Sequence, residues 1–410
     1  MTTALYLEDP RLLEFDATVL ATESTERGTE IVLDRSAFYP EGGGQPADHG
    51  DINGIPVVHV RSDGRTIYHL VEGEPPERLS NEPVRGRVDA ARRRDYQQQH
   101  TGQHMLSGAF MQVGRYPTVS VHQGTDYTTI EIESTTIPEA DLDRVERLTN
   151  EAIEADLPVV AEWATEETIS RFPLRRPPKV AGSIRVVRIG DFDCAACGGV
   201  HLSRTAEVRM VRLLDVESIR GNTRTVWKIG DRACAHYREA STVVKQLGNV
   251  LSAQPHQLVE RVGMQEQRVR TAELEIRRLN ERLHELIAER LLDEARRVSS
   301  TDTGPAVATG SFADEPKDML RGVTERLVEV PGLAVCLVNR SGGLLQWSIG
   351  AGPGSAVEFD SIRGELLPMI DAKGGGRPPI WQGVGTRVEQ APDFLRRFRE
   401  LAGGAPRTGG

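Results

Sequence analysis

Two segments of this chain carry side chains able to hold a metal ion. The first is His100-Thr-Gly-Gln-His104. Its surroundings, DAARRRDYQQQHTGQHMLSGAFMQV from Asp89, contain no proline and favour helix. Two histidines four apart on a helix stand on one face, so both imidazoles reach a single ion. The HExxH protease pattern is absent, because Thr101 follows His100. The second segment is DFDCAACGGVH, Asp191 to His201. Gly198 and Gly199 separate Cys197 from His201, and glycines let a chain turn sharply around an ion. Zn²⁺ accepts thiolate and imidazole together in tetrahedral geometry. His100, His104, Cys197 and His201 therefore offer four ligands from two elements, enough for one Zn²⁺ per chain. Cys194 and Cys197 form a CxxC, which leaves open a redox pair or a second thiolate ligand. Cys234 and Cys336 have apolar neighbours and read as core residues.

A third feature is FYPEGGGQPADHG. Three glycines precede Gln45, whose amide both donates and accepts hydrogen bonds. The run is either a loop that delivers Gln45 to a pocket or a plain surface turn. Asp48 is expected to fix that loop by accepting from backbone N–H groups.

These residues need elements to place them. Residues 1–88 contain TEIVLD, IPVVHV and TIYHLVE, short β-branched or alternating runs between turn formers, and read as a small β-barrel-like domain. Residues 89–240 hold both ligand segments. They join the long helix, the alternating strand TDYTTIEIES, the amphipathic helix IPEADLDRVERLTNEAIEADL and further short strands, so a zinc-binding α/β domain is expected there. Residues 241–300 are a helical arm. Leu258, Val262, Val269, Ala272, Ile276, Leu279, Leu283 and Leu286 follow steps of four and three when Gln265 fills the one gap, as in a coiled-coil seam or an intramolecular helical hairpin. SSTDTGP is the expected linker near 299–305. Residues 301–410 form a glycine-rich α/β domain containing KGGGRPPIWQGVG, with APRTGG as a frayed end. The fold class is thus α+β and multidomain.

The 410 residues carry 50 Lys plus Arg against 60 Asp plus Glu, a net charge of −10, which excludes a protein that coats nucleic acid through overall positive charge. Local basic segments remain: Arg92–Arg94; Arg171, Arg175, Arg176 and Lys179; Arg185 and Arg188; Arg220, Arg224 and Lys228. Each is either a phosphate contact or a solvated face. No run approaches the roughly 20 apolar residues of a membrane span, and the N-terminus lacks a secretory pattern. A cytoplasmic protein with no membrane partner is expected.

HTGQHMLSGAF, ACGGVH and FYPEGGGQPADHG together resemble the editing domain of alanyl-tRNA synthetase and the free-standing alanyl-tRNA editing proteins. KGGGRPPIWQGVG after a helical arm resembles the small glycine-rich domain of the synthetase and of the long free-standing forms. That resemblance implies that His100, His104, Cys197 and His201 bind zinc. It implies hydrolysis in trans of the ester of misacylated tRNA, Ser-tRNA(Ala) above all and also Gly-tRNA(Ala). The catalytic set it points to is Gln45, Ser36 and His100. Ser36 stands where relatives usually carry Thr, whose hydroxyl helps to recognise the β-hydroxyl of serine. Val200 stands where they carry Thr between the last two ligands. The partners implied are misacylated tRNA, chiefly tRNA(Ala), and a second copy of the chain through the arm or the C-terminal domain. Two alternatives stay open: a deacylase for threonyl-like or non-proteinogenic aminoacyl-tRNA, suggested by Ser36, and a non-catalytic tRNA-binding protein with structural zinc.

Overall fold

The computed structural model describes residues 1–72, 82–177, 182–299, 305–316, 318–355 and 357–403. Lys179, most of the expected linker (300–304) and the closing APRTGG lie outside the described residues. The chain forms two compact units, one of them Met1–Val250, the other beginning at Leu251.

In the first unit, β1 (Thr3–Ala4) leads into a single helical turn, α1 (Leu5–Glu8). Six strands then close a barrel: β2 (Glu14–Thr25), β3 (Gly28–Leu33), β5 (Gly50–Ile52), β6 (Ile55–Ser62), β7 (Ile67–Val71) and β8 (Pro83–Val88), in the order β2-β3-β7-β6-β5-β8. Inside-outside alternation is plain in β7 and β8, where every second side chain is buried. The short β4 (Arg35–Ser36) pairs in parallel with β1. Ile31, Leu33, Phe38, Ile52 and Val60 fill the barrel, and Val200 from the ligand loop packs into the same cluster.

Helix α2 (Ala90–Gly114) starts at Asp89, whose carboxylate accepts from the backbone N–H groups of Ala91 and Arg92. Its side chains are buried from Tyr96 through Phe110, so it has no polar face over this stretch. The run Gln97-Gln98-Gln99 is part of that burial. Gln97 donates to the carbonyl of His201, Gln98 to that of Glu207 and Gln99 to that of Ile229. Three amides thus tie one helix to three backbone segments.

Strands β9 (Thr118–Gln123), β10 (Thr128–Ile132), β14 (Val211–Ile219) and β15 (Asn222–Ile229) form the sheet β14-β15-β10-β9. Helix α3 (Glu139–Glu154) adds Leu142, Val145, Ala152 and Ile153 to the core around Met105, Leu106 and Phe110. A separate antiparallel sheet runs β11 (Val159–Ala164), β12 (Ile184–Ile189), β13 (Asp193–Ala196). Helix α4 (Asp231–Leu251) closes this unit.

The second unit begins with α5 (Leu258–Ser299). Val262, Val269, Ile276, Leu279, Leu283 and Leu286 are exposed along it. Farther on, Ala288, Leu291 and Ala295 are buried against Leu320, Val323 and Leu327 of α6 (Met319–Leu327). The heptad reading stopped short of this packed end. Strands β16 (Val307–Ala313), β17 (Ala334–Ser341), β18 (Leu344–Ala351), β19 (Lys373–Arg377) and β20 (Ile380–Gly385) form one sheet, β16-β17-β18-β20-β19. KGGGRPPIWQGVG is its terminal hairpin. Helices α7 (Phe359–Leu366) and α8 (Ala391–Gly403) complete the unit, with the Phe359 ring stacked between Trp347 and Trp381.

Candidate metal centre

His100, His104, Cys197 and His201 meet, although 92 residues separate the two histidines of α2 from the Cys197–His201 loop. One ligand atom from each lies within 4.8 Å of all the others. The sulfur of Cys197 is 3.3 Å from His100 Nε2 and 3.4 Å from His201 Nε2. All three histidines are at least 95% buried. Cys194 is not in the group. It packs with Ala164, Ile184 and Val186, where burial pushes its thiol pKa up. No cysteine is in a disulfide, and Cys336 is a buried core residue while Cys234 is only half-buried.

The other nitrogen of each imidazole is also addressed. His100 Nδ1 is 2.6 Å from Gln45 Oε1, so it carries the proton and donates. His201 Nδ1 lies 3.3 Å from Thr101 Oγ1. His104 Nδ1 faces Asp193 Oδ2 at 3.4 Å, in ion-pair range but without hydrogen-bond geometry. Asp193 is held in turn by Arg175, whose Nη1 donates to Oδ1 at 2.7 Å. Such partners fix the tautomer that leaves Nε2 free to bind an ion. Three imidazoles and one thiol are the donors that a borderline-soft divalent ion takes.

Electrostatics favour the metal-ready state of the thiol. Burial alone would raise Cys197, but the imidazoles around it hold it well below its ordinary value. Burial would likewise lower His104, yet the Cys197 thiolate and Asp193 carry it up to about 9. Burial and the neighbouring His100 push His201 down to about 3.

The GGGQ loop reaches this centre through a tight turn. Gly42 and Gln45 exchange backbone hydrogen bonds at 3.1 and 3.0 Å, with Gly43 and Gly44 at φ of 60° and 85° between them. Two successive positive φ values make the turn that favours glycine most strongly. Gln45 is thereby buried, with Oε1 on His100 and Nε2 without a hydrogen-bond partner. Asp48 accepts from the Tyr39 N–H at 2.6 Å and from Arg93, a fully buried ion pair that pins the loop to α2.

An open cavity of about 480 Å³ lies over the centre, lined by His100, His104, Cys197, Gly42, Gly43 and Thr118 among others. Ser36 does not line it. Its Oγ sits 2.7 Å from His69 Nε2 inside the barrel and accepts from the Phe38 N–H. The basic segments also sort themselves. Arg93 is buried, Lys228 is paired with Asp126, Arg188 with Glu162 and Arg224 with Glu217. Arg171 and Arg176 have no ion-pair partner among the described residues. Asp193 and Thr101 escaped the sequence reading, because nothing in their local pattern marks a residue that acts through a ligand, and Arg175, read there as a phosphate contact or a solvated charge, instead holds Asp193.

Residues 184–224, which include Cys197 and His201, match the threonyl and alanyl tRNA synthetase second additional domain. Over 412 residues the chain is 32% identical to the alanine–tRNA ligase of Pyrococcus abyssi, covering 98% of this chain and 44% of that protein. It is homologous to the editing and C-terminal region of alanyl-tRNA synthetase. The synthetase homologue is also 34% identical over 309 residues to the alanine–tRNA ligase of Pyrobaculum neutrophilum, covering 72% of this chain and 34% of that one. It thus spans less than half the length of these curated relatives. Among solved structures, the C-Ala domain of Aquifex aeolicus alanyl-tRNA synthetase aligns with 24% of this chain and 91% of its own, at 22% identity and a TM-score of 0.23, too low to carry further weight. No helix among the described residues is long and apolar enough to cross a membrane.

Proposed function

We propose that this protein hydrolyses, in trans, the ester bond of misacylated tRNA, with Ser-tRNA(Ala) and Gly-tRNA(Ala) as substrates and one Zn²⁺ on His100, His104, Cys197 and His201. The observation that carries this reading is the buried four-donor cluster beneath an open cavity, in a chain homologous to part of a tRNA ligase. A Zn²⁺ held by His100, His104, Cys197 and His201 would supply positive charge beside the cavity to anchor the substrate.

The remaining work falls to the chain. An aminoacyl ester is already activated, so positioning and oxyanion stabilisation supply most of the acceleration needed. Gln45 holds the His100 proton on Nδ1 and keeps a spare amide N–H beside the cluster. Asp193 and Thr101 orient the other two rings. In this reading Gln45 and His100 act at the reacting end. Ser36 acts only through the barrel, because its hydroxyl is engaged by His69 and Phe38. Binding of tRNA, dimerisation through the exposed stripe of α5 and a cytoplasmic setting belong to the same proposal.

The test is a panel of Ser-, Gly-, Ala-, Thr- and Cys-tRNAs given to the purified protein, with and without chelator. Loss of Ser- and Gly-tRNA(Ala), sparing of Ala-tRNA(Ala) and abolition by chelator are expected. If the zinc-loaded protein cleaves none of these esters, the reading fails.

A further inference from the structure

A second cavity, of about 560 Å³, adjoins the metal cluster at Cys197. Tyr6, Trp163, Arg175, Arg176, Arg185 and Cys197 line it, Arg175 being already paired with Asp193, and no carboxylate among the described residues does. It shares Cys197, Gly198 and Arg176 with the cavity over the ligands, so the two lie side by side.

The sheet β11-β12-β13 explains its composition. Trp163 and Arg185 are direct register partners on adjacent antiparallel strands, so their side chains stand on the same face. The carbonyl of Arg185 accepts from the N–H of Cys197, just past the end of β13. An aromatic, a cation and a metal ligand thus form a row across three neighbouring segments. Two strand spacings put the ends of that row about 10 Å apart along the backbone. Trp163 is 57% exposed, far more than a sheet residue with a packing role needs. Arg185 is its opposite, only 5% exposed. Its Nη1 donates to the carbonyls of Cys197 and Gly199, its Nε has no partner, and no carboxylate meets it among the described residues. The Cys197 thiolate offsets part of that charge, but a metal bound there would take the thiolate up, and a buried cation is costly unless an anion completes the site. Arg176 adds an exposed cation that has no ion-pair partner among the described residues.

We propose that this cavity is a subsite for one unpaired nucleotide at the 3′ end of an RNA strand, its base stacked on Trp163 and its phosphate beside Arg185 and Arg176. The combination of an exposed indole with guanidinium groups is the one that holds single-stranded nucleic acid. A free amino acid or inorganic anion would leave the aromatic wall unused. The inference rests on the RNA-substrate reading above and assigns residues to it. The sugar's 3′ side then faces Cys197, where the ester-bearing end would lie.

The experiment measures the affinity of the metal-loaded, full-length protein for a fluorescent RNA tetranucleotide with a free 3′-hydroxyl and no amino acid. Trp163→Ala is expected to weaken binding about 5- to 100-fold, the range for loss of one base–aromatic stack. Trp163→Phe should recover part of that loss. Arg176→Ala should lower the slope of log affinity against log salt by about one phosphate contact. Bound zinc and circular dichroism should match the wild type in all three. Wild-type affinity in Trp163→Ala overturns the subsite, whatever happens to ester hydrolysis. Trp163-dependent RNA binding without any ester cleavage keeps the subsite and overturns the hydrolase reading instead.

Discussion

Gly199→Ala should dislodge His100 from the metal centre while leaving the backbone of the ligand loop undisturbed. A Cβ at position 199 would lie 2.1 Å from His100 Cε1, 2.5 Å from its Nδ1 and 3.2 Å from Gln45 Oε1. Carbon atoms pack at about 3.5–4.0 Å, so the ring must retreat by more than ~1 Å. That displacement exceeds the tolerance of a metal–nitrogen bond and also breaks the 2.6 Å contact with Gln45. Loss of an outer partner alone typically costs 10- to 100-fold in metal affinity. Here the ligand itself moves, so a loss of at least about 100-fold is expected. Overpacking should take about 1–3 kcal/mol from folding stability as well. Gly199 is not in the left-handed region, so alanine is admissible there on backbone grounds. Gly198→Ala is the matched control, because a Cβ at that position meets nothing within 4 Å. Competition against a chromophoric zinc chelator at fixed pH reads both variants. Zinc affinity in Gly199→Ala within threefold of wild type would refute the steric argument. An equal loss in Gly198→Ala would refute it too, by showing that loop flexibility rather than space at His100 is what matters.

Asp193→Asn should lower zinc affinity about 10- to 100-fold, since the His104 ring loses the carboxylate that orients it; the same chelator competition checks this. Cys194→Ser should leave bound zinc at one per chain by elemental analysis, because its sulfur lies outside the cluster. Arg93→Ala leaves Asp48 as an unpaired buried charge and should cost about 3–5 kcal/mol in urea unfolding; a change under ~1 kcal/mol would contradict the role of that pair. His69 gives a pH dependence. Burial in the barrel lowers its pKa from 6.5 to about 4, so between those values the unfolded state binds the extra proton. The stability it contributes is complete above pH 6.5 and is lost as pH falls through 4, to a total of about 3 kcal/mol. Unfolding at pH 7, 5.5 and 4 should show a shallower decline in His69→Gln than in wild type. Parallel slopes would refute the assignment.

Much of this was legible in the chain itself. HxxxH on a proline-free helix and Cys-Gly-Gly-Val-His determine ligand type and facing, because helical periodicity and turn chemistry are local. Three of the six barrel strands, α3 and the α5 helix follow from alternation and periodicity in the same way. Three consecutive glutamines and Asp193 were mute, because a residue's part in tying or orienting another across roughly 90 or more positions leaves no trace in its neighbours. Only tertiary packing placed Gln45 behind His100, sent Ser36 into the barrel beside His69 and excluded Cys194 from a ligand set that its CxxC spacing invited. It also decided which cations are free. Arg93 and Lys228, which the sequence left as either phosphate contacts or solvated charges, are consumed by the buried Asp48 and the exposed Asp126, and Arg175 by Asp193, whereas Arg176 and Arg185 in the cavity beside Trp163 meet no carboxylate among the described residues. Charge type is written in the sequence; whether a charge meets a counter-ion or a ligand depends on which strands and helices come to lie beside it.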